Sequence, residues 1–210
     1  EGKMKSREGT VVDADNLADE IHESAKKEIL KRYPKINKKE LEKRAESIGM
    51  AAIKFFILKY DAMKDFVFNP KESLSFEGET GPYVQYTYAR TYSVLEKYGK
   101  KITNKVDYSL LNTDEDKAII KLLKDFPEIV EKSAKEYKPS LVTRYLLDIS
   151  QLFNLYYHKH KVIQDDKELE KARILLIDSV RKVLKNGLTL LGIDAIEVMW
   201  VNFLVLGFLV

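Results

Sequence analysis

Three side chains in the stretch FEGETGPYVQYTYAR, residues 76–90, have the type and spacing to hold an unpaired nucleic-acid base. On a helix at about 100° per residue, Tyr83, Tyr86 and Arg90 fall at i, i+3 and i+7 on one stripe, with Thr87, Val94 and Lys97 beside them. A tyrosine ring offers a face on which a base can stack, worth about 1–3 kcal/mol per base. Arginine adds phosphate pairing or planar stacking. The opposite stripe, Val84, Tyr88, Thr91 and Leu95, is apolar enough to anchor the helix on a core. The same spacing also fits an amphipathic helix whose tyrosines are buried up to wet hydroxyls.

Other polar residues divide between two roles. Gln85 and Asn154 are candidates for hydrogen bonds to base edges, or else serve as packing or capping amides, and His158 is similar. Lys97, Lys100, Lys101 and Lys105 form a basic run that either tracks phosphates or is an exposed charged connector. Metal chemistry finds little support: there is no cysteine, and His22, His158 and His160 lack partners at ligand spacing.

The elements that must carry these residues are helical nearly throughout, so the predicted fold class is all-α. The first helix spans about Asp15 to Tyr33 and stops at Pro34. A second begins at an Asn37 cap with Glu40 in the capping-box position and runs to about Tyr60, with Leu41, Ala45, Ile48, Ala52 and Phe55 inward. An irregular stretch, 61–80, leads through a Gly-Pro turn into the tyrosine helix at 82–98. Residues 99–112 read as a polar connector. Asn112 and Glu115 then form a capping pair for a helix expected to end before Pro127, with a further helix to about Tyr137. The long helix 139–158 would bury Leu141, Tyr145, Ile149, Leu152 and Phe153. Asp165 and Glu168 cap the last helix, which has the most regular apolar stripe in the chain, and Gly192 closes it.

Composition sets broader bounds. The chain has 210 residues, 45% of them apolar and 33% charged, an ordinary globular balance, and a mildly basic net charge of +3 that is compatible with RNA. Residues 1–12 are polar and charged, so no signal peptide is expected. The eleven residues from Trp200 to Val210, WVNFLVLGFLV, are almost wholly apolar. They are shorter than the ~20 that cross a bilayer, and an aggregation liability if exposed.

Several motifs in a common order resemble one family. Gly78 to Arg90, in the pattern G-x-T-G-P-Y-V-Q-Y followed by an Ala-Arg pair, resembles the start of the anticodon-binding domain of class I arginyl-tRNA synthetases. Lys3-Met4-Lys5-Ser6-Arg7 resembles that family's form of the KMSKS loop, with Lys5 where a small residue is usual. Residues 48–55, 153–158 and 183–193 resemble three further helical signatures. The resemblance implies a remnant of a catalytic domain over 1–12, a helical stem-contact region over 13–75, a DALR-type anticodon-binding bundle over 76–199 and an atypical tail over 200–210. It implies that Tyr83, Tyr86, Arg90, Tyr157 and Met199 hold the anticodon loop of arginine tRNA, and that Lys3 and Arg7 neutralise ATP phosphates. Ile196 and Val198 stand where the family has proline and arginine.

The family's His-x-Gly-His motif does not occur in these residues. The chain is therefore expected to be inactive alone, to bind no cofactor by itself (ATP with Mg belonging to the complete enzyme), and to partner a catalytic domain in cis or trans. A cytoplasmic monomer without membrane contact is expected, and the tail, beyond the family's usual stop near Met199, reads as a frameshift or gene-boundary product. Two rivals are a stand-alone tRNA-binding module and a helical interaction protein using its apolar tail as a docking element.

Overall fold

The computed structural model describes residues 13–199, so Lys3, Arg7 and the apolar tail lie outside the described residues. Seven α-helices and one 3-10 turn, at Tyr108–Leu110, account for the regular structure there, with no strand among the described residues. The all-α class is as the periodicity predicts.

Helix α1 (Ala14–Arg32) starts at Asp13, whose carboxylate accepts from the Asp15 and Asn16 amides, and it buries Ile21, Ala25 and Ile29 at four-residue intervals. Helix α2 (Lys38–Leu58) starts at Asn37, whose Oδ1 accepts from the Glu40 amide at 2.9 Å. Glu40 does not return the bond as a capping box requires. Its carboxylate is taken by Arg44, at 2.7 Å. Ala45, Ile48, Ala52 and Phe55 are buried as their spacing predicts, and Leu41 is partly so. Together α1 and α2 form a core that also takes in Leu74, Ala89 and Met199.

Within the stretch expected to be irregular, Asn69 caps the single turn α3 (Pro70–Ser73). Helix α4 (Gly81–Tyr98) follows, and the Gly-Pro pair is its first turn rather than a turn before it. Thr80 supplies the cap, and Pro82 fits because first-turn amides have no partner inside the helix.

Two expected helices are one. Helix α5 (Asp114–Glu136) runs straight through Pro127. A proline inside a helix costs about 3 kcal/mol, but the apolar stripe Ile119, Leu122, Leu123, Phe126 and Ile129 continues across it and packs on the main core. Its cap is Thr113 with Asp116, a reciprocal box one residue beyond the expected Asn112 pair.

Helix α6 (Ser140–Lys159) buries Tyr145, Ile149 and Phe153, whereas Leu152 and Leu141 are only half-buried. Helix α7 (Lys167–Leu190) is capped by Asp166, one residue after the expected Asp165. It closes with Gly192 at φ +66°, where the Ile193 amide reaches Leu188 O at 2.9 Å and the Gly192 amide reaches Thr189 O at 3.0 Å. That is the paired C-terminal bonding for which a left-handed glycine is suited. Helices α4, α5, α6 and α7 share the larger core, and the connector at 99–112 contributes Ile102, Val106, Leu110 and Leu111 to it.

Candidate nucleic-acid interface

Helix α4 is held from several sides, which decides what its outer stripe can do. The Thr80 hydroxyl accepts from the Tyr83 amide at 3.1 Å and donates to Ser75 O at 2.5 Å. Gly81 lies directly on α2: a Cβ there would sit 2.3 Å from Ala51 O and 2.9 Å from the Phe55 Cβ. Val84, Tyr88 and Thr91 are buried, as anchoring requires. Thr87 and Val94, expected on the outward stripe, are buried too. The cause is that α4 packs against α2, α6 and α7 together, which leaves only a narrow face.

On that face Tyr83, Tyr86 and Arg90 are half-buried, and α6 brings Asn154 and Tyr157 to them. Arg90 donates to Asn154 Oδ1 at 2.6 Å and to the Tyr86 hydroxyl at 2.5 Å. Its guanidinium carbon stands 4.7 Å from the Tyr86 ring centroid and 5.3 Å from that of Tyr157, within cation–π range. Asn154 Nδ2 donates to the Tyr83 hydroxyl and to Thr87 Oγ1, both at 3.0 Å, and Thr87 in turn donates to Tyr83 O. Tyr157 stacks on Phe153 with centroids 6.1 Å apart. Burial, the larger effect, raises its phenol pKa against the opposing pull of the Arg90 guanidinium, so the ring is a neutral phenol. Five of the expected side chains thus form one cationic, aromatic surface spanning α4 and α6.

Two expected residues lie elsewhere. Gln85 is fully buried, its amide donating to Asp194 O at 2.8 Å and Ser47 O at 3.3 Å. It is a packing amide, because it faces the α2 side of α4, and no base edge can reach it in this arrangement. Met199 is 1% exposed and sits in the α1–α2 core, with half-buried Tyr86 against the same cluster. It cannot act as an open wall for a base while it is so covered.

The contacts that hold that C-terminal segment join residues far apart in the sequence and leave no local motif. Ser47 Oγ donates to Asp194 Oδ2 at 3.1 Å, Lys54 Nζ to Gly192 O at 2.5 Å and Arg44 to Met199 O at 3.0 Å. With Gln85 they staple residues 192–199 onto α2. Gln85 falls one turn before buried Tyr88 and Ala89, the one hint of its role available in the sequence.

Lys97, Lys100, Lys101 and Lys105 are exposed. His158 is also exposed and meets Tyr157 edge-on. Away from this surface Lys159, first, holds the Glu115 carboxyl down to about 2 through a 2.5 Å hydrogen bond that ties the end of α6 to the start of α5. Among the described residues no cluster of three His or acidic side chains could hold a metal, and no helix is long and apolar enough to cross a membrane.

Residues 84–199 match the family described as "DALR anticodon binding domain", and residues 1–70 match "tRNA synthetases class I (R), catalytic domain". The chain is 41% identical over 199 residues to the arginine–tRNA ligase of Halothermothrix orenii and 42% identical over 198 residues to that of Clostridium botulinum. These alignments cover 95% and 94% of this chain but 35% of each relative. Among solved structures, the arginyl-tRNA synthetase of Thermus thermophilus is similar with a TM-score of 0.85 at 34% identity, over 94% of this chain and 34% of that one. The Plasmodium falciparum enzyme gives a TM-score of 0.77 at 27% identity, over 89% and 34%. The chain spans about a third of the length of the relatives it matches. Its α4–α7 bundle carries the family match across more than half of the sequence, and the chain belongs to the DALR anticodon binding domain family, in the form found in arginine–tRNA ligases.

Proposed function

We propose that this chain binds the anticodon loop of arginine tRNA on the α4–α6 surface, as the tRNA-recognising portion of an arginine–tRNA ligase. The observation that carries the reading is the convergence of Tyr83, Tyr86, Arg90 and Tyr157 on one half-exposed face, since it combines stacking surfaces with a fixed cation. Single-stranded RNA loops are recognised by splaying bases onto aromatic and arginine planes. Residues 13–75, with the α1–α2 pair, would contact the stem, and since residues 1–70 fall within the catalytic-domain match they would do so as the end of that domain. Tyr86→Ala is expected to weaken binding of an arginine tRNA transcript by about 1–3 kcal/mol. Unchanged affinity in a folded Tyr86→Ala protein would refute the assignment.

The finer enzymatic reading concerns Lys3 and Arg7, which would meet ATP phosphates as preorganised cations. The 210-residue chain has no His-x-Gly-His motif, and assayed by itself it is expected to catalyse neither arginine activation nor arginylation. Arginine-dependent exchange of pyrophosphate into ATP by the purified chain would contradict this.

A further inference from the structure

Asn154 stands at the junction of the α4–α6 surface, and a count of its hydrogen bonds limits what it can do. Its side chain has two amide hydrogens and one carbonyl oxygen. Both hydrogens are used, on the Tyr83 hydroxyl and on Thr87 Oγ1, each at 3.0 Å. The oxygen accepts from Arg90 at 2.6 Å. The amide orientation is fixed by its partners, because arginine can only donate and must face the oxygen. Asn154 therefore has no donor left for a base edge, and what remains is one lone pair of an oxygen already held by the Arg90 guanidinium.

The consequence falls on Tyr83. A tyrosine hydroxyl that accepts a hydrogen bond keeps its own proton for a second partner. Tyr83 is half-buried at the edge of the surface, with its lone pair turned to Asn154. We propose that Asn154 is a positioning residue that does not read a base but sets the Tyr83 hydroxyl as a hydrogen-bond donor toward an acceptor on the bound RNA. The same amide also fixes Arg90, which donates onward to the Tyr86 hydroxyl, so one side chain orients the polar ends of both stacking tyrosines. The inference rests on the RNA-binding role proposed above.

Asn154→Asp separates the possibilities. The carboxylate still accepts from Arg90, but it has no hydrogen to give Tyr83, so the Tyr83 hydroxyl turns inward and donates to it. The added negative charge also repels any polyanion, a loss that salt screens, so the comparison is made at high salt: there Asn154→Asp should lose what Tyr83→Phe loses, and the double variant should lose no more. For one hydrogen bond the loss is roughly three- to tenfold in Kd for arginine tRNA. Equal losses on transcripts with altered anticodon bases would place the RNA acceptor on a phosphate, and a loss confined to one base would place it on that base's edge.

Thermal melting of each variant separates a loss of fold from a loss of the donor. If Asn154→Asp does not fold, Tyr83→Phe alone carries the test: it should lose roughly three- to tenfold in affinity, and a folded Tyr83→Phe protein that binds like wild type would overturn the proposal. Losses that still multiply at high salt in the Asn154→Asp/Tyr83→Phe double variant would show that Asn154 touches the RNA directly, and would overturn the proposal. So would a folded Asn154→Asp protein that binds like wild type. A wild-type chain indifferent to the anticodon would instead overturn the RNA-binding role itself, whatever the variants do.

Discussion

Gly81→Ala should destabilise the protein although alanine is the better helix former. At the start of α4 a methyl group would lie 2.3 Å from Ala51 O, 2.8 Å from Ala51 C and 2.9 Å from the Phe55 Cβ. Non-bonded carbon contacts are best at roughly 3.5–4.0 Å, so α4 and α2 would have to part by about 1 Å. Two of the three obstructing atoms are backbone, and no rotamer change relieves them. Overpacking of this kind costs about 1–3 kcal/mol, against a gain of about 0.5–1 kcal/mol from replacing glycine in a helix. With all three contacts under 3.0 Å the upper end of that cost applies, and the net is a loss of about 2–2.5 kcal/mol, which for a protein of this size lowers Tm by roughly 4–10 °C. The assay is reversible thermal or urea unfolding followed by helical circular dichroism. Tyr83 follows two residues later, so the shift should also weaken RNA binding. An alanine variant at least as stable as wild type would refute the claim that α4 rests on α2 through Gly81.

Two other expectations test particular contacts. Gln85→Leu should cost about 1–3 kcal/mol of stability, because Ser47 O and Asp194 O lose a buried donor. It should leave the choice between anticodon bases unchanged, and a selective loss for one base would restore Gln85 as a reader. The depressed Glu115 carboxyl contributes stability above its ordinary value of 4.5, and that contribution is lost as pH falls toward about 2. Acid titration of stability should accordingly be shallower in this window for Glu115→Gln than for wild type, and identical curves would show that the Lys159 contact contributes nothing.

Much of this fold was legible because helix period and caps are local signals. Asn37, Pro82 and Gly192 each do what residues of their type do at helix ends. The errors arose where two neighbours share a chemistry, since Asn112 and Thr113, or Asp165 and Asp166, can each cap and only packing selects between them. Pro127 misled for a different reason: its penalty is local, and the α5 stripe that offsets it is spread over several turns. At the candidate site the stripe of Tyr83, Tyr86 and Arg90 was readable at helical spacing. Its completion was not, because Asn154 reaches Arg90 across 64 residues and Tyr83 across 71. Gln85 and Met199 were misplaced as open contacts because a 3.6-residue period says which side of α4 is apolar, not how many helices cover it.

The most direct test of the central claim is the affinity of the chain for arginine tRNA transcripts with intact and altered anticodons, measured across a salt series. Phosphate attraction weakens steeply with salt for every transcript alike, whereas base reading persists as a difference between them. A preference for the intact anticodon that survives added salt is the predicted result. Binding that ignores the anticodon and vanishes with salt would contradict the assignment of the α4–α6 surface.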